Sequence, residues 1–121
     1  MLDLVKRLAE VCKPVLETAA RRRSTMTYGQ LARRVRLKAN LPELGPRDRI
    51  LHDALDILSI ESYDGGQKIL LSVVVVREDT NMLGPGFFHL AQERLVAYPE
   101  ETTWEEIFSI ELGKVLEHYR R

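Results

Sequence analysis

Positive charge is concentrated in one segment of this chain. Residues 18–42 contain seven basic side chains and no acidic one, although the sequence as a whole has 18 basic and 18 acidic residues. The compensating acids lie elsewhere: residues 43–64 contain six acidic and two basic side chains, and residues 99–121 contain six acidic and three basic. Guanidinium groups bind phosphates in a bidentate manner, so this basic segment is a candidate surface for a polyanion.

The candidate nucleic-acid contacts are the cations of the basic segment, two arginines that follow it and one aromatic residue. They are Arg21, Arg22, Arg23, Tyr28, Arg33, Arg34, Arg36, Lys38, Arg47 and Arg49. The cations would supply non-specific, salt-sensitive affinity, and a helix that starts at Tyr28 would add backbone N–H groups for one phosphate. Tyr28 would pack on a sugar, on a base or in the core. The competing interpretation is a solvated basic face that pairs with an acidic C-terminal helix.

Few residues are candidates for catalysis. Asp79 lies in a loop over residues 77–86, His89 follows it closely, and Glu61 is the candidate for a second carboxylate. A small metal-dependent nuclease can be built from such groups, but no pair of carboxylates with a following lysine has the spacing of a nuclease. His52 stands alone, without metal-ligand spacing. We therefore expect no catalytic residue, no metal site and no cofactor, and we keep a metal-dependent nuclease as an alternative.

Apolar spacing predicts the first two helices. Residues at intervals of three and four predict one amphipathic helix from about Leu2 to Arg22, with Cys12 on its buried stripe. Pro14 falls on the opposite face, where it would kink or split this helix. Thr27 and Gln30 have the spacing of a capping box, so a second helix should begin at Tyr28.

Three further helices are predicted along the rest of the chain. Pro46 is placed to open a third helix that reaches about Ile60. A fourth helix is expected over residues 87–97. A second capping box, formed by Thr103 and Glu106, opens a terminal helix that runs to about Tyr119, with Trp104 as a packing anchor.

One strand is predicted, over residues 69–77, because of its β-branched run. A strand needs a hydrogen-bonded partner, and residues 25–26 and 60–63 are both candidates. Pairing with residues 60–63 would form a β-hairpin through a turn at residues 63–67. A dimer that completes the sheet between two chains is another solution. The fold class is thus mainly α with a small β-hairpin, in the order of a winged helix-turn-helix domain with long N- and C-terminal helices.

Residues 27–34, Thr-Tyr-Gly-Gln-Leu-Ala-Arg-Arg, resemble the opening of the winged-helix domain in alkylguanine-DNA alkyltransferases and their catalytically inactive relatives. The resemblance covers about residues 25–60 and implies that the next helix enters DNA, with Arg47 or Arg49 as the arginine near its start. The Pro-Cys-His-Arg active site of that family has no counterpart here, so alkyl transfer is not implied. Residues 71–88 also resemble a segment of small uncharacterised bacterial and phage proteins.

Composition sets the remaining expectations. A chain of this length fits a single domain over residues 1–121, with a winged-helix-like core at 25–80 and flanking helices at 1–24 and 87–121. A single cysteine excludes an internal disulfide framework, and no apolar run approaches the length of a membrane span. We expect a cytoplasmic protein that binds nucleic acid, DNA in preference to RNA, with no membrane contact. The alternative is a module that dimerises or binds another protein through its acidic last helix or the region of Phe88.

Overall fold

The computed structural model describes residues 2–80, 82, 84, 87, 98 and 101–120. Its helices with described bounds are α1 (Leu2–Arg21), α2 (Tyr28–Val35), α3 (Arg49–Ser62) and α4 (Trp104–His118). Two short strands, β1 (Met26–Thr27) and β2 (Val75–Val76), complete the regular structure. The mainly helical class is confirmed. The helix predicted over residues 87–97 lies outside the described residues, apart from Phe87, which is helical and buried.

Helix α1 confirms the first prediction. Leu8, Cys12 and Leu16 are fully buried on one stripe, and Pro14 lies exposed inside a helix that continues past it. Proline is tolerated there without splitting the helix. The end of α1 is closed by a left-handed residue, Arg23, with φ 56°, and the Ser24 N–H donates to the Ala19 carbonyl at 2.9 Å.

Both predicted capping boxes are present. The Thr27 hydroxyl accepts the Gln30 N–H at 3.1 Å, and the Gln30 side chain accepts the Thr27 N–H at 2.9 Å. Thr103 and Glu106 make the same reciprocal pair at 3.1 and 3.0 Å. Each box satisfies two N–H groups that a helix start would otherwise leave without partners, which fixes where α2 and α4 begin.

Helix α3 starts later and ends later than predicted. It begins at Arg49 rather than at Pro46, because Asp48 is extended and its carboxylate accepts the Gly45 N–H at 2.8 Å, which closes a turn before the helix. Its last residue is Ser62. Residues 60–62 are therefore helical, and a π-type turn over Tyr63–Gln67 follows.

The predicted strand over residues 69–77 is wrong for most of its length, since residues 71–74 form a 3₁₀ turn and β2 contains only Val75 and Val76. Two buried serines of α3 explain the difference. Ser59 Oγ accepts the Ser72 N–H at 2.9 Å and donates to Ser72 Oγ at 2.6 Å, while Ser62 Oγ donates to the Ile69 carbonyl at 2.8 Å. These side chains replace strand partners for the backbone they contact.

The sheet is parallel, so the predicted β-hairpin is also wrong. Met26 pairs with Val75 and Thr27 with Val76, across a connection that contains α2 and α3. Of the two candidate partners, the segment that starts near residue 25 is confirmed and residues 60–63 are not. The turn that was to close the hairpin instead ends α3, with Gly66 at φ 99° and Lys68 at φ 57°.

One hydrophobic core joins these elements, and residues of α1, α2, α3, β2 and α4 all contribute to it. The buried face of α4 consists of Ile107, Glu111, Val115 and, just after the helix, Tyr119. Trp104 is 53% exposed, so it is not the buried anchor that the sequence predicted. It stands in the first turn of α4, ahead of the buried stripe.

Candidate nucleic-acid interface

Helix α2 separates apolar from basic side chains. Leu31, Ala32 and Val35 are fully buried, and the residues between them must therefore face solvent. The exposed side runs on into the helical turn that follows α2, since the Ala39 N–H still donates to the Val35 carbonyl at 2.9 Å. We call this side the α2 surface, defined as Gln30, Arg33, Arg34, Leu37 and Lys38, all of which are exposed.

The α2 surface carries three cations and no carboxylate. Arg33 and Leu37, and likewise Arg34 and Lys38, are four residues apart, a spacing that places side chains as neighbours on one helical face. The guanidinium of Arg33 lies above Gly29, with Nη1 at 3.7 Å from the position a Cβ would occupy there, and Glu78 Oε1 from the strand end lies 3.9 Å from the same position. Three of the predicted contacts, Arg33, Arg34 and Lys38, are thus brought together.

Arg36 has a different role from its neighbours. It is half-buried, and its Nε donates to the Leu44 carbonyl at 2.7 Å. The loop after α2 is fastened at this point, because Leu44 is itself 4% exposed. Arg36 therefore holds the loop in place, and the structure separates it from the solvent-facing cations.

The arginines at the end of α1 form a second group. The Arg21 guanidinium lies 5.4 Å from the centre of the Tyr119 ring, whose hydroxyl donates to Glu17 at 2.9 Å. Burial, followed by this hydrogen bond, raises the pKa of Tyr119 to about 12. Arg21 and Arg23 line an open cleft of about 600 Å³ together with Arg120. Arg22 is exposed in the turn that directly follows α1.

The two arginines predicted at the start of α3 also differ. Arg47 is exposed in the turn before the helix and lines a cleft beside α2. Arg49 is the first residue of α3, and its Nε contacts Asp53 Oδ1 at 3.4 Å. The side chain of Arg49 is 90% exposed, so this pair restrains it only weakly.

The cleft beside α2 has a volume of about 560 Å³ and an aromatic wall. The rings of Tyr28 and His52 are stacked, with centroids 4.6 Å apart and planes inclined by 25°. His52 Nε2 lies 2.9 Å from the Pro46 carbonyl, which can only accept, so Nε2 carries a proton. Burial raises the pKa of Tyr28, the charge of Asp56 raises it further, and Arg77 opposes both. Tyr28 is half-buried and faces this cleft.

Charged groups of both signs surround the cleft. Arg77 donates two hydrogen bonds to Asp79, from Nε to Oδ1 at 3.2 Å and from Nη2 to Oδ2 at 2.9 Å. Glu78 and Asp56 also line it. Neither His52 nor Arg77 was predicted as part of a site, because a lone histidine on a helix and an arginine at a strand end carry no local signal. They come together only in the folded chain, where α2 and α3 both pack against α1 and α2 contacts β2.

A metal-dependent nuclease would need a cluster of metal ligands. Among the residues that the structure describes, no three His, Cys, Asp or Glu side chains are placed to hold an ion. Asp79 is engaged by Arg77, and His89 lies outside the described residues.

The acidic residues of α4 do not pair with the basic segment in the part of the chain that the structure describes. Glu111 is fully buried, and its Oε2 accepts the Tyr98 hydroxyl at 2.7 Å and Lys114 Nζ at 3.1 Å. Glu117 contacts Arg120 at 3.6 Å. Glu111 and Glu117 therefore pair with cations of α4 or just after it, and neither contacts a cation of the α2 surface.

Helices among the described residues are all too short or too polar to cross a lipid bilayer. No protein-family model, no curated protein and no solved structure matches the chain. The likeness of residues 27–34 to the winged-helix domain of alkyltransferases accordingly stays a prediction.

Proposed function

We propose that this protein binds nucleic acid, duplex DNA in preference to RNA, through phosphate contacts made by the α2 surface. One observation carries the proposal: Arg33, Arg34 and Lys38 share one exposed helical face that contains no carboxylate. Cations so arranged attract a line of phosphates and release counterions when they bind it. Arg47, at the adjacent cleft, would add one further cation beside the α2 surface, although Asp56, Glu78 and Asp79 also line that cleft.

The α2 surface suits this role better than α3 does. In a winged helix-turn-helix domain the second helix enters the major groove, and here that helix would be α3. However, Asp53 and Asp56 lie along α3, and Asp53 Oδ1 is 3.4 Å from the exposed Arg49 guanidinium. Carboxylates repel phosphates, so we propose that α2 and its following turn face the duplex while α3 supports them. The helix-turn-helix relation and the cytoplasmic setting belong to the same proposal.

The two arginines at the end of α1 are assigned a supporting role. They line a cleft with Arg120, which shares no lining residue with the cleft beside α2. Contacts made there would lengthen the footprint on the same polyanion without being required for the first contact.

The test compares two pairs of exposed helical cations. The double variant Arg33→Gln, Arg34→Gln loses two charges from the α2 surface. The double variant Lys6→Gln, Lys13→Gln loses two charges from exposed positions of α1. Fluorescence anisotropy with a labelled 20-bp duplex, measured at 0.1 M salt, gives the affinity of each. At this salt concentration each phosphate contact raises the association constant by about 0.9 logarithmic units. The variant of the α2 surface should therefore bind the duplex about 60-fold more weakly than the wild type, and the α1 variant should bind it almost as well as the wild type.

The same measurement on a single-stranded DNA of equal length and on an RNA hairpin compares the three classes of nucleic acid. Equal losses in the two double variants would show that any binding is diffuse, and the assignment to the α2 surface would fail. A labelled duplex that stays unbound by the wild-type protein at low salt would remove the proposal altogether.

A further inference from the structure

Leu37 is the large apolar side chain most exposed to solvent among the described residues, at 86%. Trp104 and Ile110, the next two, are exposed at 53% and 43%. Single exposed leucines are common on protein surfaces, so exposure by itself indicates nothing. The position of Leu37 on the α2 surface, between cations and on a firmly held turn, is what requires explanation.

The turn that carries Leu37 is fastened on both sides. The Ala39 N–H donates to Val35 and the Leu41 N–H to the Arg36 carbonyl, each at 2.9 Å. The Arg36 side chain closes the loop on Leu44, and Ala39 is fully buried. Leu37 is therefore presented outward at a fixed place, and little conformational freedom remains to be lost when it makes a contact.

The neighbours of Leu37 define what it would meet. Leu37 is four residues after Arg33 and three after Arg34, on a backbone that is still helical, so their Cβ atoms are about 5–6 Å apart. Lys38 follows directly. An apolar side chain surrounded by cations complements a surface whose apolar part lies between two rows of phosphates. Stacked base pairs seen from the minor groove of DNA are such a surface.

We propose that Leu37 inserts as a wedge between two base pairs of duplex DNA, from the minor groove, while Arg33, Arg34 and Lys38 hold the phosphates beside the opened step. This inference rests on the proposed function and adds to it a mode of binding. Apolar wedges of this kind unstack a base step and bend the duplex by about 20–90°. Pyrimidine–purine steps such as TA are the easiest to open, so we expect a preference for them.

The decisive variant is Leu37→Gln, which keeps the charge of the α2 surface and removes no buried contact. A 20-bp duplex with one central TA step, labelled at its two ends, reports both affinity and bending through energy transfer. We expect the variant to bind this duplex about tenfold more weakly than the wild type, because contact with one leucine is lost, and to leave it straight. Its dependence on salt should be unchanged. Ile110→Gln, at an exposed position of α4, is the matched control and should change neither quantity.

Four outcomes separate the alternatives. Loss of bending and affinity at constant salt dependence supports the wedge. A variant that bends and binds the duplex as the wild type does overturns the wedge and leaves the phosphate contacts in place. Absence of any salt-dependent binding by the wild type overturns both proposals. Vesicles containing anionic phospholipid are the last arm: if Leu37→Gln weakens binding to vesicles and not to DNA, Leu37 is a membrane contact and the wedge is excluded.

Discussion

Replacing Ser59 with alanine should destabilise this protein more than the loss of one surface hydroxyl would suggest. Ser59 Oγ accepts the Ser72 N–H at 2.9 Å, and both residues are buried. A buried N–H without a partner costs about 1–3 kcal/mol. Alanine forms helix better than serine by about 0.5 kcal/mol, which offsets part of this cost. The Ser59 hydroxyl also donates to Ser72 Oγ, and with the loss of this second bond, worth about 0.5 kcal/mol, the net expectation is a loss of about 2 kcal/mol in the free energy of unfolding.

Urea denaturation followed by circular dichroism measures this loss, and thermal unfolding should show a fall in Tm of roughly 8 °C. Ser109→Ala is the matched control, because Ser109 is exposed in the middle of α4 and loses no buried partner. It should be neutral or slightly stabilising. The double variant Ser59→Ala, Ser72→Ala completes a cycle, whose coupling energy isolates the hydroxyl–hydroxyl bond at 2.6 Å.

The result that refutes this reasoning is a Ser59→Ala protein within about 0.5 kcal/mol of Ser109→Ala, the scatter expected of unrelated surface changes. The Ser72 N–H would then have another partner. We attribute the 3₁₀ turn at residues 71–74 to side chains of α3 that replace the hydrogen bonds of a strand. That explanation would then be wrong.

Three further predictions concern single side chains. Arg36→Gln should lower the free energy of unfolding by about 1 kcal/mol, because the bond to the Leu44 carbonyl is lost. It should weaken DNA binding less than the double variant Arg33→Gln, Arg34→Gln does. Urea denaturation measures the first effect and fluorescence anisotropy the second. Arg23→Gly should raise the free energy of unfolding by about 0.5–1 kcal/mol, because glycine adopts φ 56° without strain; a loss of stability in urea would contradict it. Burial raises the pKa of the Cys12 thiol to about 12, so a chromogenic disulfide reagent at pH 8 should label it only in denaturant, and rapid labelling of the native protein would show that Cys12 is accessible.

The parts of the fold that local signals determine were predicted from the sequence. The starts of α2 and α4 follow from two capping boxes, each of which lies within four residues, and α1 follows from a long apolar stripe. These features form wherever the chain carries them, so no knowledge of the tertiary structure is needed.

The parts that failed depend on contacts between distant residues. Residues 69–74 have the composition of a strand. In the structure, however, the side chains of Ser59 and Ser62 on α3 form hydrogen bonds with backbone groups of this segment. No sequence pattern predicts such bonds. The stacking of Tyr28 on His52 likewise arises only when α2 and α3 have both packed against α1. For the candidate site, Arg33, Arg34 and Arg36 were all predicted as contacts, but the bond from Arg36 to a carbonyl in the next loop separates it from the other two, and no local sequence pattern indicates that bond.

The salt dependence of DNA binding tests the central claim most directly. For the wild-type protein and a 20-bp duplex, the logarithm of the association constant should fall linearly with the logarithm of the salt concentration. Contacts by Arg33, Arg34 and Lys38 alone predict a slope of about −2.7, and the variant Arg33→Gln, Arg34→Gln should lie near −0.9. A slope near zero for the wild-type protein, or one that the double variant leaves unchanged, would contradict the account.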